Sequence, residues 1–460
     1  MIQKLLSATA ILLLGVVIPP VGADADMQGR LESLVAGAFD EGGPGGVVIV
    51  RREGQTLLHG AYGMADVELQ VPMTTAHRLA AGSITKPMTA AGILRLIEEG
   101  RLALDDDVRA YLPSLSPGDH KITIEQLLSH TSGFPSAVDR EDFEALARQD
   151  MTTEALLALT GGMTMHFAPG TGYRYSDSGY FLLGAVIEEI SGFGYAEFMH
   201  KQAFEPNGLL QTVYGNEAAI IPRRASGYSR DEEGLINAPY INMSVPYAAG
   251  GIYTTAEDLA NWIEVLRAGR FIGPDLLNRA WAAQRLPDGT STGYGFGWGI
   301  CEIAGQRSIG HGGFINGFTA NLEHLPDANI TIAVMTNQDS GDPEASYLVR
   351  RIARLLLTGR PDLPVVALKP SERARLLGTF AYENGDTRVI FEDGDALWSR
   401  RNDGEPIRLV PLSSSDLAFP DTEGSYGLEF VGDAQGQVAR LVTRLKCSPL
   451  EVAERRSEGS

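Results

Sequence analysis

Cysteine is almost missing from this chain of 460 residues, with only Cys301 and Cys447 present. Neither lies near the N-terminus, so a cysteine-borne lipid anchor has no support, and paired-cysteine metal motifs are excluded. An oxidising compartment permits one disulfide between the two, and two separate thiols fit the sequence equally well. Basic residues are also few: 38 Lys and Arg against 58 Asp and Glu leave a formal charge of −20, which disfavours nucleic acid as a partner. Long apolar runs are lacking apart from Ala10 to Ile18. That run follows Lys4, ends at Pro19-Pro20 and precedes the small residues Val21-Gly22-Ala23, so Met1 to Ala23 reads as a secretory signal peptide. It is shorter than the ~20 residues a spanning helix needs, so no membrane span is expected in the mature chain. No Gly-x-Ser-x-Gly elbow and no His-Glu-x-x-His motif occurs, which removes the main support for α/β-hydrolase and zinc-peptidase readings.

What is present begins with Ser83-Ile84-Thr85-Lys86. A serine and a lysine three apart at a helix start share one face and can exchange a proton. A serine hydroxyl is a weak nucleophile at neutral pH, so it needs a base, and a helix N-terminus adds a field that favours the developing alkoxide. Of the six lysines, only Lys86 has a serine three positions before it. Leu94, Leu96 and Ile97 continue an amphipathic segment to Gly100. Pro87 cannot donate to the carbonyl of the preceding turn, which predicts an irregular first turn.

Two further elements follow in order. Tyr175-Ser176-Asp177 comes after the turn-forming Pro169-Gly170-Thr171-Gly172, and His311-Gly312-Gly313 lies between strand-like runs. The set resembles the three motifs of the serine β-lactamase and penicillin-binding-protein superfamily: Ser-x-x-Lys, Tyr-x-Asn, and Lys-Thr-Gly or His-x-Gly. Leu127 to Gly133, Ala249 to Thr255 and Phe204-Glu205-Pro206 look like its framework segments, so the likeness runs from about Leu31 to about Leu357.

The resemblance implies a catalytic set of Ser83, Lys86 and Tyr175, with an oxyanion hole from the backbone N–H groups of Ser83 and Phe314. It implies substrate contacts at Asp177, His311, Gly312 and Gly313, and no metal or organic cofactor. Gly312 and Gly313 lack side chains, which lets substrate approach the strand edge. Lys86 and Tyr175 are rival general bases with ordinary pKa values of about 10.4 and about 10. Two departures stand out. Asp177 replaces the usual asparagine, and a carboxylate beside Lys86 favours the protonated lysine and leaves more of the base work to Tyr175. His311 replaces the lysine that engages a substrate carboxylate in many relatives, and a largely neutral imidazole does this less well. His-x-Gly is typical of the D-aminopeptidase and esterase-like branch. The expectation is an exported, periplasmic or secreted serine hydrolase of amides, peptides or esters acting through an acyl-enzyme on a small-molecule or peptide substrate. The alternatives are a penicillin-binding-like sensor with little turnover, or a carboxypeptidase or β-lactamase. His130, in the Leu127 to Gly133 segment, is expected to be structural.

The expected fold class is α+β. A β-hairpin over residues 46–60 opens the catalytic domain, a mostly helical stretch runs from Ser83 to about Trp281, and strands return at Tyr294 to Glu302, Phe318 to Leu325 and Ile330 to Thr336. A helix near Pro343 to Leu357 closes it. One antiparallel sheet fed from both ends, flanked by helices and carrying a helical insertion, accounts for this order. The expected boundaries are 24–360 for the hydrolase domain, 361–370 for a linker, 371–448 for a small barrel-like β domain and 449–460 for a disordered tail.

Overall fold

The computed structural model describes residues 21–115, 120–160, 163–216, 218–340, 344–382, 385–420, 426–433, 436–445 and 448–456. The expected signal peptide lies almost wholly outside them. Cys301 is disulfide-bonded and no described cysteine is free, while Cys447 lies outside the described residues.

The catalytic domain is built on a six-stranded antiparallel sheet in the order Gly299–Ile303, Gln306–Ile315, Phe318–Leu325, Ile330–Thr336, Gly46–Arg52, Gln55–Tyr62. The N-terminal hairpin therefore joins strands nearly 300 residues later in the chain, Val48 pairing with Val334 and Val50 with Ile332. Period-2 alternation decides which layer each side chain enters. Val48, Val50, Ile330, Ile332 and Val334 point to one face, where Leu31, Val35, Leu348, Val349 and Ile352 from the helices Val21–Ala36 and Ala345–Thr358 cover them. Val47, Ile49, Ala333 and Met335 point to the other face and join the core of the helical insertion. Ala345–Thr358 shows why such a helix starts and stops where it does. Glu344 accepts hydrogen bonds from the Ser346 and Tyr347 N–H groups, and Gly359 ends the helix at φ 75°.

The insertion holds the helices Thr85–Glu98, Asp177–Ser191 and Ala256–Arg267, as the apolar spacing predicts. It also holds strands that the sequence reading does not foresee. Ile252–Thr254 pairs with Leu79–Ala80 and with Val213–Tyr214, and Tyr228–Asp231 forms a hairpin with Gly234–Asn237. Segments of two to four residues are too short for alternation to register. The expected strand from Tyr294 begins only at Gly299, because Gly293 and Gly297 adopt φ 64° and 79° and bend the chain.

Beyond a helix at Pro370–Leu376, a nine-stranded antiparallel sheet encloses its own core of Phe380, Leu417, Leu428, Phe430 and Leu441. Its two outermost strands, Ile407–Arg408 and Val410–Pro411, are separated in sequence by Leu409 alone, so the sheet curls into a nearly closed barrel. The disordered tail expected from 449 is corrected here. Ser448–Arg455 is a strand between Gly378–Tyr382 and Val438–Leu445, with Ala453 fully buried beneath Leu441 and Tyr382. Glu451, Glu454 and Arg455 make the segment look solvated, and its inward position carries an alanine too small to reveal the alternation. Residues 457–460 lie outside the described ones. Ala453→Arg is expected to lower the stability of the C-terminal domain by more than about 3 kcal/mol, since an unpaired cation is forced into a closed core. A denaturation transition unchanged from wild type contradicts this placement.

Candidate active site

Ser83 sits in a single 3-10 turn, Gly82–Ile84, that runs straight into the helix Thr85–Glu98. This is the irregular first turn that Pro87 demands. Gly82 takes φ 51°, and a Cβ there would stand 2.9 Å from the Phe314 nitrogen. Across from it, a Cβ on Gly313 would come within 1.9 Å of the Ala81 carbonyl oxygen. Two missing side chains thus let the Gln306–Ile315 strand lie directly on the turn that carries Ser83. Ser83, Asp177 and Phe314 line one cavity of about 450 Å3 with Phe181, Ile241 and Pro246.

Lys86 is fully buried, and its ammonium has three acceptors for its three protons. Nζ donates to Ser83 Oγ at 3.0 Å, to Asp177 Oδ1 at 2.6 Å and to the Ala249 carbonyl at 3.0 Å. Asp177 opens the helix Asp177–Ser191, which Ser176 caps by accepting from the Gly179 N–H. The Asp177 N–H donates to Ser136 Oγ at 3.2 Å, so both ends of the residue are held. Among the described residues, Oδ2 of Asp177 accepts no hydrogen bond, and the side chain keeps 22 % of its surface exposed towards solvent.

Burial and charge act in opposite senses on the two rival bases. Burial lowers the Lys86 pKa from the usual lysine value, with the Asp177 carboxylate pulling it back up and losing. Burial also pushes the Tyr175 phenol well above its ordinary range, Asp177 adds to that, and the hydrogen bond with Ser83 opposes it. Asp177 raises the proton affinity of Lys86, as the sequence reading expects, and burial acts against it. Desolvation outweighs the carboxylate at Lys86, and the same carboxylate disfavours a phenolate at Tyr175.

Tyr175 lies under the Lys86 ammonium, 4.8 Å from ring centroid to Nζ, and packs on His130 at 4.3 Å between centroids. His130 is buried, and its Nδ1 accepts the Ser176 N–H at 3.1 Å. Its pKa is held well below the ordinary histidine value by burial, then by Lys86 and His311. It stays neutral and fixes the chain between Tyr175 and Asp177, which is the structural role expected of it. His311 lies 6.1 Å from the Tyr175 ring, with Nδ1 2.6 Å from the Gly312 carbonyl and Nε2 2.9 Å from the Tyr294 hydroxyl. The carbonyl can only accept, so Nδ1 carries a proton, and Nε2 shares a hydrogen bond with the Tyr294 hydroxyl. Tyr294 escapes the sequence reading, because no local motif marks it and only the bend at Gly293 and Gly297 brings it in. The expected set thus converges: Ser83, Lys86, Tyr175 and Asp177 in mutual contact, and His311 to Phe314 along the adjoining strand. Among the described residues, no group of three or more His, Cys, Asp or Glu side chains is placed to share a metal ion.

A sheet fed from both chain ends, an inserted helical layer and a Ser-x-x-Lys turn at their junction define a hydrolase of the β-lactamase fold. The chain belongs to the Beta-lactamase family, whose model matches residues 25–357. It is 26 % identical over 400 residues to penicillin-binding protein 4* of Bacillus subtilis, covering 81 % of this chain and 87 % of that protein. It is 29 % identical over 416 residues to the D-aminopeptidase of Brucella anthropi, covering 85 % and 78 %. Among solved structures it is similar to an octameric penicillin-binding protein homologue from Pyrococcus abyssi, with TM-score 0.65, 25 % identity and coverage of 93 % and 99 %. A D-stereospecific amidohydrolase from Streptomyces sp. gives TM-score 0.62 at 27 % identity, over 73 % of this chain and 99 % of that one.

Gly313→Ala tests the close approach on which the site is built. The added methyl displaces the strand from the Ser83 turn, and kcat/KM is expected to fall by about a hundredfold or more, the usual cost of a misplacement near 1 Å. Wild-type kinetics in a folded Gly313→Ala protein contradict this geometry.

Proposed function

We propose that this protein is an exported serine amidase or peptidase that cleaves an amide bond on the carbonyl side of a D-configured residue through an acyl-enzyme at Ser83. The observation that carries the reading is the Lys86 Nζ bridge between Ser83 Oγ and Asp177 Oδ1. The signal-like Met1 to Ala23 supports export, and among the described residues no helix is long and apolar enough to cross a membrane. The names of the D-aminopeptidase and of the D-stereospecific amidohydrolase support the stereochemistry.

In this reading Lys86, as the neutral amine, takes the Ser83 proton while Oγ bonds to the substrate carbonyl carbon. The carbonyl π pair moves onto oxygen, which the Ser83 and Phe314 N–H groups stabilise. The C–N bond then breaks, and the leaving nitrogen receives its proton from Lys86 through the Tyr175 hydroxyl. Water repeats the sequence to release the acid and regenerate Ser83. Asp177 receives the N–H of the acyl residue at Oδ2 and sets the Lys86 pKa through Oδ1. Gly313 makes room for the Ser83 turn, and Gly312 adds no side chain to the strand edge where substrate lies.

Ser83→Ala is expected to abolish turnover of a D-aminoacyl anilide with circular dichroism unchanged, because only one oxygen is lost. The acid limb of kcat/KM belongs to Lys86: activity rises as pH rises through its lowered pKa. Tyr175→Phe should cost about a hundredfold in rate and keep that limb, whereas Asp177→Asn should move it to lower pH by removing the charge that raises the lysine. A limb that vanishes in Tyr175→Phe assigns the base to the phenol instead. A second expectation concerns His311, where an imidazole stands in place of the permanent cation that engages a carboxylate. His311→Lys should raise kcat/KM for substrates with a carboxylate on the leaving group relative to their amides. An unchanged ratio contradicts the role given to His311.

A further inference from the structure

The catalytic cavity does not end at the acyl residue. A second cavity of about 550 Å3 adjoins it and shares Phe143, Ile241, Phe314 and Asn316 as walls, so the two chambers form one cleft. We infer, building on the amide-hydrolase reading above, that the enzyme takes an acyl group of at least two residues and seats the second, apolar or aromatic, in this outer chamber.

The direction of the cleft follows from the chemistry. The leaving nitrogen must lie where Tyr175 can reach it, and His311 stands on that same side. The acyl group bonded to Ser83 therefore runs the other way along the Gln306–Ile315 strand, past Phe314 towards Asn316. Asn316 Nδ2 donates to the Pro239 carbonyl at 2.9 Å, which fastens the strand end to the Pro239-Tyr240-Ile241 wall of the outer chamber. A cleft of this combined size exceeds what one amino-acid residue fills and is in the range that encloses a larger organic ligand.

The lining gives the class of group. Phe314 and Tyr240 are 66 % and 43 % exposed, two bare aromatic side chains lining one cavity. Arg148 lies over the Tyr240 ring at 5.8 Å and makes no ion pair among the described residues, so it serves as a cationic edge to the aromatic wall. Of the two carboxylates in the lining, Asp339 is already committed, accepting from Ser229 Oγ and the Gly317 N–H at 2.6 Å each. Glu144 lies exposed at the rim. The walls suit an aromatic or aliphatic side chain, and the amide N–H between the two residues can donate to Asp177 Oδ2.

The test compares D-alanyl p-nitroanilide with D-phenylalanyl-D-alanyl p-nitroanilide on the full-length enzyme, with mass spectrometry identifying the acid released. The expected result is at least a tenfold gain in kcat/KM for the longer substrate and release of the intact dipeptide. Ala145→Trp, which fills the outer chamber from an exposed position, and Tyr240→Ala, which removes its wall, should each cut the ratio of long to short at least fivefold. Turnover of the short substrate without a gain for the long one overturns the inference and leaves the hydrolase standing, as does stepwise release of D-phenylalanine. Equal losses on both substrates in Ala145→Trp and Tyr240→Ala also overturn it. No turnover of either substrate removes the hydrolase reading and the chamber's role with it.

Discussion

A single buried ammonium organises this catalytic domain. Taking a lysine wholly out of water is unfavourable by several kcal/mol unless every proton is matched, and Lys86 is matched by a hydroxyl, a carboxylate and a carbonyl from three separate parts of the chain. Ser83 comes from the turn before the helix, Asp177 from the start of a second helix and Ala249 from the short helix Tyr247–Gly250 ahead of the Ile252–Thr254 strand. The contacts that keep the lysine in place are thus the contacts that assemble the site. Burial lowers its proton affinity and Asp177 limits how far, so the contacts that tie the proposed base down also tune it.

The second constraint is steric. The proposed oxyanion donors of Ser83 and Phe314 can meet only if the sheet lies against the turn that carries Ser83, and Gly82 and Gly313 are where a side chain cannot be tolerated. Gly82 takes φ 51° beside the sheet, and His130 takes φ 58° where it accepts the Ser176 N–H. Each is a place where the sequence yields local comfort to hold two layers together.

Legibility followed the range of the interaction. Ser83 with Lys86, and Tyr175 with Asp177, are close in sequence and share a helix start or its cap, so short motifs in the family's order reveal them. Long strands such as Phe318–Leu325 and Ile330–Thr336 declare themselves through alternation, and both were legible to the residue. The balance between Lys86 and Tyr175 was not, because it depends on how deeply each is buried, which no spacing encodes. Tyr294, Phe143 and Ile241 were equally hidden: a bend, the short helix Phe143–Leu146 and a loop carry them, and only the tertiary fold brings these to the cleft. The last strand was missed for a different reason. Its inward residue is Ala453, whose small side chain carries almost no hydrophobic signal.

The most direct test of this account is the titration of Lys86 itself. With six lysines in the chain, isotope labelling of the side-chain amine and assignment by Lys86→Arg make its resonance accessible to NMR. The account predicts a pKa below the ordinary lysine range of about 10.4, falling further in Asp177→Asn. A Lys86 that titrates at or above the ordinary range, unmoved by Asp177→Asn, contradicts the claim that a buried lysine held between Ser83 and Asp177 is the base.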